Sequence, residues 1–287
     1  MTSTPEPFGA RLRRALDTRG PLCVGIDPHP ALLAEWGLAD DVAGLERFTR
    51  TAVDALAGST AVLKPQSAFY ERFGSRGIAV LERAVADARA AGALVLLDVK
   101  RGDIGSTMAA YAAAYLDPAG PLRCDAVTLS PYLGFGALRP ALDAARAGGA
   151  GVFVLALTSN PEGAEVQHAV SAGGPTVAAG VLAHLRAENA EAARAGVWGS
   201  CGAVVGATLG TAPERAAGGS LDIGGPLLAP GIGAQGATPA DLPKVFGAAV
   251  RDVVPSVSRG VLRHGPDPAG LIEAATRFVD QVRAAAG

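Results

Sequence analysis

The sequence ALVLLDVKRGD, at positions 93–103, is an aliphatic run that ends abruptly in charged residues. A short and nearly continuous apolar run is typical of a parallel strand that is buried on both faces. Seven further runs of this kind occur, which gives eight candidate strands. They lie at 22–27, 61–64, 93–99, 126–130, 152–157, 203–206, 227–230 and 252–257.

Segments with apolar residues at every third or fourth position separate these runs, as is typical of amphipathic helices. They lie at about 41–57, 72–91, 106–116, 135–147, 174–195, 210–217, 240–249 and 267–285. Eight alternating strand and helix units favour the α/β class and a closed (β/α)8 barrel, the TIM barrel. A doubly wound open sheet would alternate in the same way and is the alternative architecture.

The domain organisation is predicted to be simple. No composition break or linker divides the 287 residues, so we predict a single TIM-barrel domain over 1–287. The amphipathic stretch at 8–16 predicts a short N-terminal helical extension. Gly- and Pro-rich stretches at 159–175 and 218–240 interrupt the alternation and predict long loops over one face of the barrel.

Composition narrows the classes of partner. The net charge is −2 and basic residues are spread along the chain, so neither nucleic acid nor an anionic membrane is an expected partner. Residues 1–7 lack the apolar core of a secretory signal, and no apolar run approaches ~20 residues. We therefore expect a cytoplasmic protein. The widely spaced Cys23, Cys124 and Cys201 are interpreted as reduced core residues.

Polar residues gather at the C-terminal ends of the predicted strands, where barrels of this class carry their chemistry. They follow six of the eight runs, at 25–28, 63–66, 98–103, 158–161, 230–236 and 256–260. The end of the fourth run, 130–132, and the inserts at 162–174 and 212–226 have no predicted role.

Asp98 and Lys100 are two residues apart on an extended segment, so both side chains leave the same face of the strand. Inside an apolar strand end, such charges are costly unless they are paired or functional. Lys64, at the matching level of the neighbouring strand, can reach the same place. An ion-pair network that merely closes the barrel is the alternative to a catalytic site.

Lysine is rare in this chain, and its positions are informative. Only three of the 25 basic residues are lysines: Lys64, Lys100 and Lys244. An ammonium group can give up a proton, whereas a guanidinium group is too basic to do so. Lys64 and Lys100 are therefore candidates for chemistry, and Lys244 lies in a predicted surface helix.

A second subsite is predicted in the loops after the last two strands. Gly231, Gly233 and Gly236 would let the backbone approach a ligand closely, although glycines of this kind also form tight turns. Arg259 and Gly260, read as the start of the last helix, offer a guanidinium group beside free N–H groups. This combination suits a phosphate.

Several other site types lack their motifs. The four histidines, at 29, 168, 184 and 264, show no metal-ligand spacing, and no HExxH motif occurs. A Walker loop and a GxGxxG motif after the first strand are also absent from the sequence. No metal, nucleotide-hydrolysis site or dinucleotide cofactor is expected.

The pattern Asp98-x-Lys100-x-x-Asp103-Ile104-x-x-Thr107 resembles the signature of the orotidine 5′-phosphate decarboxylase family, and its local sequence resembles the longer bacterial subgroup. The resemblance extends over nearly the whole chain. The further residues that follow the order of the family are Asp27, Lys64, Ser159, 230–236 and Arg259.

The resemblance implies a substrate, orotidine 5′-monophosphate, and a role for each site residue. Gln235, Arg259 and nearby backbone N–H groups would hold the phosphate, and Pro230 and Gly260 would also bind the substrate. Ser159 would hydrogen-bond the pyrimidine.

The same resemblance also implies which residues contact the ribose and the reacting end of the substrate. Asp27 and Lys64 would engage the ribose, and Lys64 would also pair with Asp98. Asp98 would lie against the departing carboxylate. Lys100 would stabilise the carbanion at C6 and then protonate it, with no cofactor and no metal.

The resemblance also implies a homodimer with shared active sites, because Asp103, Ile104 and Thr107 of each chain would reach into the site of its partner. Two rival functions stay open. One is another phosphosugar barrel enzyme, such as a 3-keto-gulonate phosphate decarboxylase, a metal-dependent relative or an epimerase. The other is a catalytically inactive ligand-binding barrel.

Overall fold

The computed structural model describes residues 5–209, 218–233 and 236–286. Eight parallel strands form a closed barrel in sequence order. They are β1 Cys23–Ile26, β2 Val62–Pro65, β3 Leu94–Arg101, β4 Ala126–Leu129, β5 Gly151–Leu157, β6 Cys201–Val205, β7 Leu227–Ala229 and β8 Val253–Val257. Cys23 pairs with Val62 on one side and with Ser256 on the other, which closes the sheet. The predicted (β/α)8 barrel is confirmed, and the doubly wound alternative is wrong.

Helices surround the barrel. Those among the described residues are α1 Phe8–Arg19, α2 Pro30–Glu35, α3 Val42–Leu56, α4 Ala68–Glu71, α5 Gly74–Ala90, α6 Gly105–Leu116, α7 Arg139–Gly148, α8 Gly163–Gln167, α9 Val177–Arg194, α10 Leu242–Phe246, α11 Arg259–Leu262 and α12 Pro268–Ala286. Short 3-10 turns lie at Phe135–Leu138, Pro239–Asp241 and Gly247–Asp252. None of the helices in these ranges is long and apolar enough to cross a bilayer.

Some helix predictions need correction. The loop predicted at 159–175 contains α8. The helix predicted at 240–249 is α10 with 3-10 turns on both sides, because Gly247 adopts a positive φ of 51° and ends the α-helix. Arg259 begins a separate four-residue helix rather than the last one. The helix predicted at 210–217 lies outside the described residues.

The N-terminal helix α1 closes the bottom of the barrel. The Phe8 ring meets Phe153 of β5 edge to face, with ring centroids 6.1 Å apart. Gly151 makes room for this contact, since a Cβ atom there would lie 2.2 Å from the Phe8 ring. The buried cluster formed in this way comprises Phe8, Leu12, Leu16, Cys23, Ala61, Val62, Leu96, Ala126, Phe153, Val204, Leu228 and Val254.

The cysteines belong to the apolar interior. Cys23 and Cys124 are buried, Cys201 is partly buried, and all three are free. Burial raises the pKa of each thiol to about 12, so all three stay protonated at neutral pH. Their interpretation as core residues is confirmed for Cys23 and Cys124, whereas Cys201 is partly buried and packs against the core.

Asp125, just before β4, fastens α1 to the barrel. Its buried carboxylate accepts a hydrogen bond from Arg11 of α1 at 2.7 Å, from Arg89 at 3.3 Å and from the backbone N–H of Val95 at 3.0 Å. Arg11 also donates to the carbonyl of Gly149. Removal of one member of a buried ion pair strongly destabilises a protein, because the remaining charge is left buried without a partner.

We therefore expect Asp125→Asn to lower the free energy of unfolding by about 3 kcal/mol, because it removes the charge that two arginines share. Urea unfolding measures the loss. Asp143→Asn is the matched control: Asp143 pairs with Arg139 and Arg146 on the exposed surface, and its loss should change stability by less than ~0.5 kcal/mol. Equal effects of the two variants would contradict the role given to Asp125.

Candidate active site

A cavity of about 410 Å³ opens at the C-terminal ends of the strands, where the sequence predicted a polar cluster. Predicted site residues from six strand ends share it. The residues that line it are Asp27, His29, Lys64, Gln66, Phe69, Asp98, Lys100, Thr128, Leu155, Thr158, Ser159, Asn160, Val204, Leu228, Pro230, Gly231, Ile232, Ser256, Ser258 and Arg259.

One carboxylate joins the two lysines. Lys64 Nζ lies 3.0 Å from Asp98 Oδ2, and Lys100 Nζ lies 2.6 Å from Asp98 Oδ1. The side chain of Lys64 is 7% exposed and that of Asp98 is 10% exposed, whereas Lys100 is 46% exposed. Lys64 is therefore a buried counter-ion, and Lys100 presents its ammonium group to the cavity.

The pairing fixes both charges. Burial alone would raise the pKa of Asp98, but the charges and hydrogen bonds of Lys64 and Lys100 hold that pKa well below its usual value of 3.8. Burial alone would lower the pKa of Lys64, yet Asp98 and Asp27 raise it above 10.5. The contribution of Asp98 to stability is present above pH 3.8 and is lost as the pH falls through its lowered pKa. That of Lys64 is present below pH 10.5 and is lost as the pH rises through its raised pKa.

The backbone at Lys100 is unusual. Its φ angle is 45°, and no other non-glycine residue in the described parts of the chain has a positive φ. A conformation of this kind costs about 1–3 kcal/mol and persists only where the surroundings hold it. It occurs in an irregular stretch of β3: Leu97 lies opposite Val127 of β4 but Arg101 lies opposite Leu129. Simple alternation predicted that Asp98 and Lys100 share a face, and both side chains do line the cavity and contact each other.

Next to this cluster, two buried polar atoms lack a protein partner. Asp27 is 8% exposed at the end of β1, and neither its Oδ1 nor Ser258 Oγ has a hydrogen-bond partner. Both residues line the cavity. Buried polar atoms without partners are rare, and at a cavity they are suited to a hydroxylated ligand.

The predicted phosphate subsite is only partly assembled from the described residues. Pro230 and Gly231 follow β7, which lies across the barrel from β3, and Arg259 follows β8; all three line the cavity. Gly260 does not line it. A Cβ atom at Gly260 would lie 2.9 Å from Phe278, so this glycine serves the packing of α12. Gln235 lies outside the described residues.

Asp103 and Thr107 do not line the cavity of their own chain. Asp103 accepts a hydrogen bond from the backbone N–H of Ile104, at 2.8 Å. Asp103 is therefore not part of the Lys64–Asp98–Lys100 cluster within its own chain. Ile104 is 63% exposed, and Tyr132 beyond the end of β4 is 77% exposed.

Several residues of the site were missed by the sequence analysis. His29 and Gln66 follow Asp27 and Lys64 by two positions each, and their place directly after a strand end was an available signal. The rings of His29 and Phe69 lie 4.3 Å apart. Burial, helped by the charge of Arg259, lowers the pKa of His29 against the opposing effect of Asp27, which favours the neutral ring.

Thr128 was also missed. It is the one polar side chain in β4, it is 1% exposed, and it hydrogen-bonds to Asp98. A single hydroxyl group in an apolar strand was the only signal in the sequence.

Metal binding gains no support from the described residues, where no three His, Cys, Asp or Glu side chains converge.

A closed (β/α)8 barrel with a Lys–Asp–Lys cluster and an arginine in one cavity is typical of barrel enzymes that act on small phosphorylated molecules. The chain belongs to the Orotidine 5′-phosphate decarboxylase / HUMPS family, which residues 20–275 match.

Relatives of the chain match over nearly its whole length. It is 69% identical to the orotidine 5′-phosphate decarboxylase of Streptomyces coelicolor and 63% identical to that of Salinispora arenicola, over 98% of each chain in both cases. A crystal structure from Streptomyces avermitilis is 69% identical, with a TM-score of 0.94 over 99% of this chain and 97% of that one. The Leishmania donovani OMP decarboxylase structure is 30% identical, with a TM-score of 0.74 over 98% of both chains. The family predicted from the sequence is confirmed.

Asp98→Asn tests the electrostatics of the cluster. Burial is the largest influence on Lys64, so without the Asp98 charge its pKa should fall below that in the wild type. We expect a loss of about 3 kcal/mol in unfolding free energy at pH 7. The loss should shrink as the pH rises towards 10, because the buried lysine can then deprotonate.

Urea unfolding at several pH values measures this dependence. The surface control Asp143→Asn should show a small effect that does not vary with pH. A loss in Asp98→Asn that is constant from pH 7 to pH 10 would show that Lys64 does not depend on Asp98 for its charge.

Proposed function

We propose that this protein decarboxylates orotidine 5′-monophosphate to uridine 5′-monophosphate and CO2, the last step of de novo pyrimidine nucleotide synthesis, without a cofactor. The observation that carries the proposal is the pairing of Asp98 with both Lys64 and Lys100 at one cavity. Membership of the family and the names of its full-length relatives support the same substrate.

The two ends of the substrate suit the two parts of the cavity. Arg259 would pair with the phosphate, together with Gln235 and nearby backbone N–H groups. Binding energy from this unreactive end can organise the reacting end. Asp27, with its unpartnered oxygen, would accept a hydrogen bond from a ribose hydroxyl group. Ser159 would hydrogen-bond the pyrimidine.

The chemical step is a replacement of CO2 by a proton at C6. The C6–carboxylate bond breaks, CO2 leaves, and the electron pair stays on C6 in the plane of the ring. The ammonium group of Lys100 stabilises that charge and then transfers one proton to C6; solvent returns the proton to Lys100. Asp98 would lie against the carboxylate as it departs, and Lys64 keeps Asp98 ionised.

A homodimer with shared sites belongs to the same proposal. Asp103 and Thr107 do not line the cavity of their own chain, and the adjacent Ile104 is largely exposed. Tyr132 and Leu133 add exposed apolar surface beyond the neighbouring strand. Such a surface is suited to a second copy. Three free cysteines are in keeping with a cytoplasmic location.

Direct turnover tests the reaction. Purified protein should change the absorbance of orotidine 5′-monophosphate in the presence of EDTA, and Lys100→Ala should lower turnover by roughly 10³-fold or more, because it removes the proton donor. Binding of uridine 5′-monophosphate to that variant should stay within about tenfold of the wild type. Lys244→Ala, in the exposed part of α10, is the matched control and should keep full activity.

Two outcomes would contradict the proposal. Absence of turnover in the wild type, or turnover only after a metal is added, favours a metal-dependent relative. Unchanged turnover in Lys100→Ala removes that residue from its role.

Mixed dimers test the shared site. Lys100→Ala and Asp103→Ala chains should each be inactive alone, yet a hybrid dimer would contain one site with both residues intact. After subunit exchange, an equal mixture should regain roughly a quarter of wild-type activity, as expected for random pairing in a twofold dimer. Exchange shown by a tagged chain without any recovery of activity would mean that each site is built from one chain.

A further inference from the structure

The hydroxyl group of Thr128 uses its full hydrogen-bonding capacity at the β3 irregularity. Thr128 Oγ1 accepts from the backbone N–H of Val99 at 3.0 Å and from that of Lys100 at 2.9 Å. It donates to Asp98 Oδ1 at 2.9 Å. A hydroxyl group has one proton and two acceptor sites. Because both acceptor sites are taken by N–H groups, its proton is directed to Asp98.

The strand register explains why a side chain is needed there. Between the pairs Leu97–Val127 and Arg101–Leu129, three residues of β3 lie opposite the single residue Thr128 of β4. The backbone N–H groups of Val99 and Lys100 are therefore out of register with the backbone carbonyl groups of β4. The hydroxyl group replaces those acceptors, and Lys100 holds its φ angle of 45° within this stretch.

The same hydroxyl group also orients the carboxylate. Asp98 Oδ1 accepts hydrogen bonds from Thr128 Oγ1 and Lys100 Nζ, and Asp98 Oδ2 accepts one from Lys64 Nζ at 3.0 Å. Thr128 thus holds Lys100 at two points, through its backbone N–H and through the carboxylate that its ammonium group contacts.

We propose that Thr128 is a positioning residue for decarboxylation, which fixes the Lys100 backbone and the Asp98 carboxylate so that the Lys100 ammonium group lies at C6 of the substrate. The inference rests on the proposed function. Thr128 itself takes no proton from the substrate and gives none to it. It matters through geometry, since a displacement of about 1 Å at a reacting group can lower a rate ~10²-fold.

Thr128→Val and Thr128→Ser separate the hydroxyl group from the side-chain volume. Valine keeps the branched shape and loses the hydroxyl group, so kcat should fall roughly 10²-fold. The affinity for uridine 5′-monophosphate, measured by calorimetry, should change less than about threefold, because that nucleotide has no reacting carboxylate. Serine keeps the hydroxyl group and should retain kcat within about tenfold of the wild type.

Thr49→Val is the matched control. Thr49 of α3 is also 1% exposed, and its hydroxyl group lies 3.2 Å from Tyr70 Oη, with no contribution to the lining of the cavity. Its removal should leave kcat unchanged. A similar fall of kcat in Thr49→Val and Thr128→Val would mean that loss of any buried hydroxyl group lowers activity through stability.

A measurement independent of activity uses the scarcity of lysine. Labelling with [15N]lysine gives three backbone amide signals, from Lys64, Lys100 and Lys244. Hydrogen exchange at the Lys100 amide should accelerate at least ~10-fold in Thr128→Val and return to the wild-type rate in Thr128→Ser, because the hydroxyl group is its acceptor. The other two amides should not change.

The outcomes distinguish this inference from the proposed function. Wild-type kcat in Thr128→Val, equally low kcat in the valine and serine variants, or unchanged Lys100 exchange would each overturn the role of Thr128. A wild-type protein that does not decarboxylate the substrate would overturn the proposed function instead. If Thr128→Val does not fold, Thr128→Ala and the exchange rate in Thr128→Ser supply the same comparison.

Discussion

Asp98 is a carboxylate buried between two ammonium groups, and the arrangement of the cavity depends on it. Lys64 is too deeply buried to stay charged without a counter-ion, and Lys100 is held at the cavity by the same carboxylate. Each ionic contact offsets the free-energy cost of removing charged groups from water, a cost that is prohibitive for an unpaired charge. The barrel supplies the geometry, because β2 and β3 are adjacent parallel strands. Asp98 lies opposite Gln66, and the Lys64 side chain, two residues earlier in β2, reaches its carboxylate. The irregular end of β3 brings Lys100 to the same carboxylate.

The cavity combines this crowded charged cluster with a more open region near β7 and β8. The contacts among Lys64, Asp98 and Lys100 hold the Lys100 ammonium group in one position. Arg259 is exposed, so its guanidinium group can bind a charged group of a ligand directly from solvent. Asp27 and Ser258 provide unpartnered polar atoms in the same cavity. A ligand that is anionic at one end and hydroxylated in its middle would meet complementary chemistry along its length.

The sequence was a good guide wherever a feature depended on local pattern. The eight strands were found because a parallel strand in a barrel is buried on both faces and must be aliphatic. Helix ends were less well predicted: Gly247 splits one predicted helix, and Arg259 begins a short helix of its own. These boundaries depend on single residues whose effect is set by tertiary packing.

The site was predictable to the extent that it is made of residues at strand ends. Asp27, Lys64, Asp98, Lys100 and Ser159 line one cavity, as their positions suggested. The positive φ of Lys100 could not have been predicted, since it is held by a hydroxyl group 28 residues further along the chain. Asp103 was assigned to the partner's site only through the family resemblance, because sequence spacing alone does not show which chain such a residue serves.

The position of helix α1 at the bottom of the barrel has a consequence for folding. Helix α1 precedes the strands in the sequence, yet its partners are distant: Arg11 meets Asp125 across 114 positions, and the N–H of Gly9 meets Ser200 across 191. The helix therefore has no place to dock until the strands around those residues exist. Contacts of such separation form slowly, because a long loop has to close first. Helix α1 is thus expected to dock late in folding, and its apolar face stays exposed while the barrel closes.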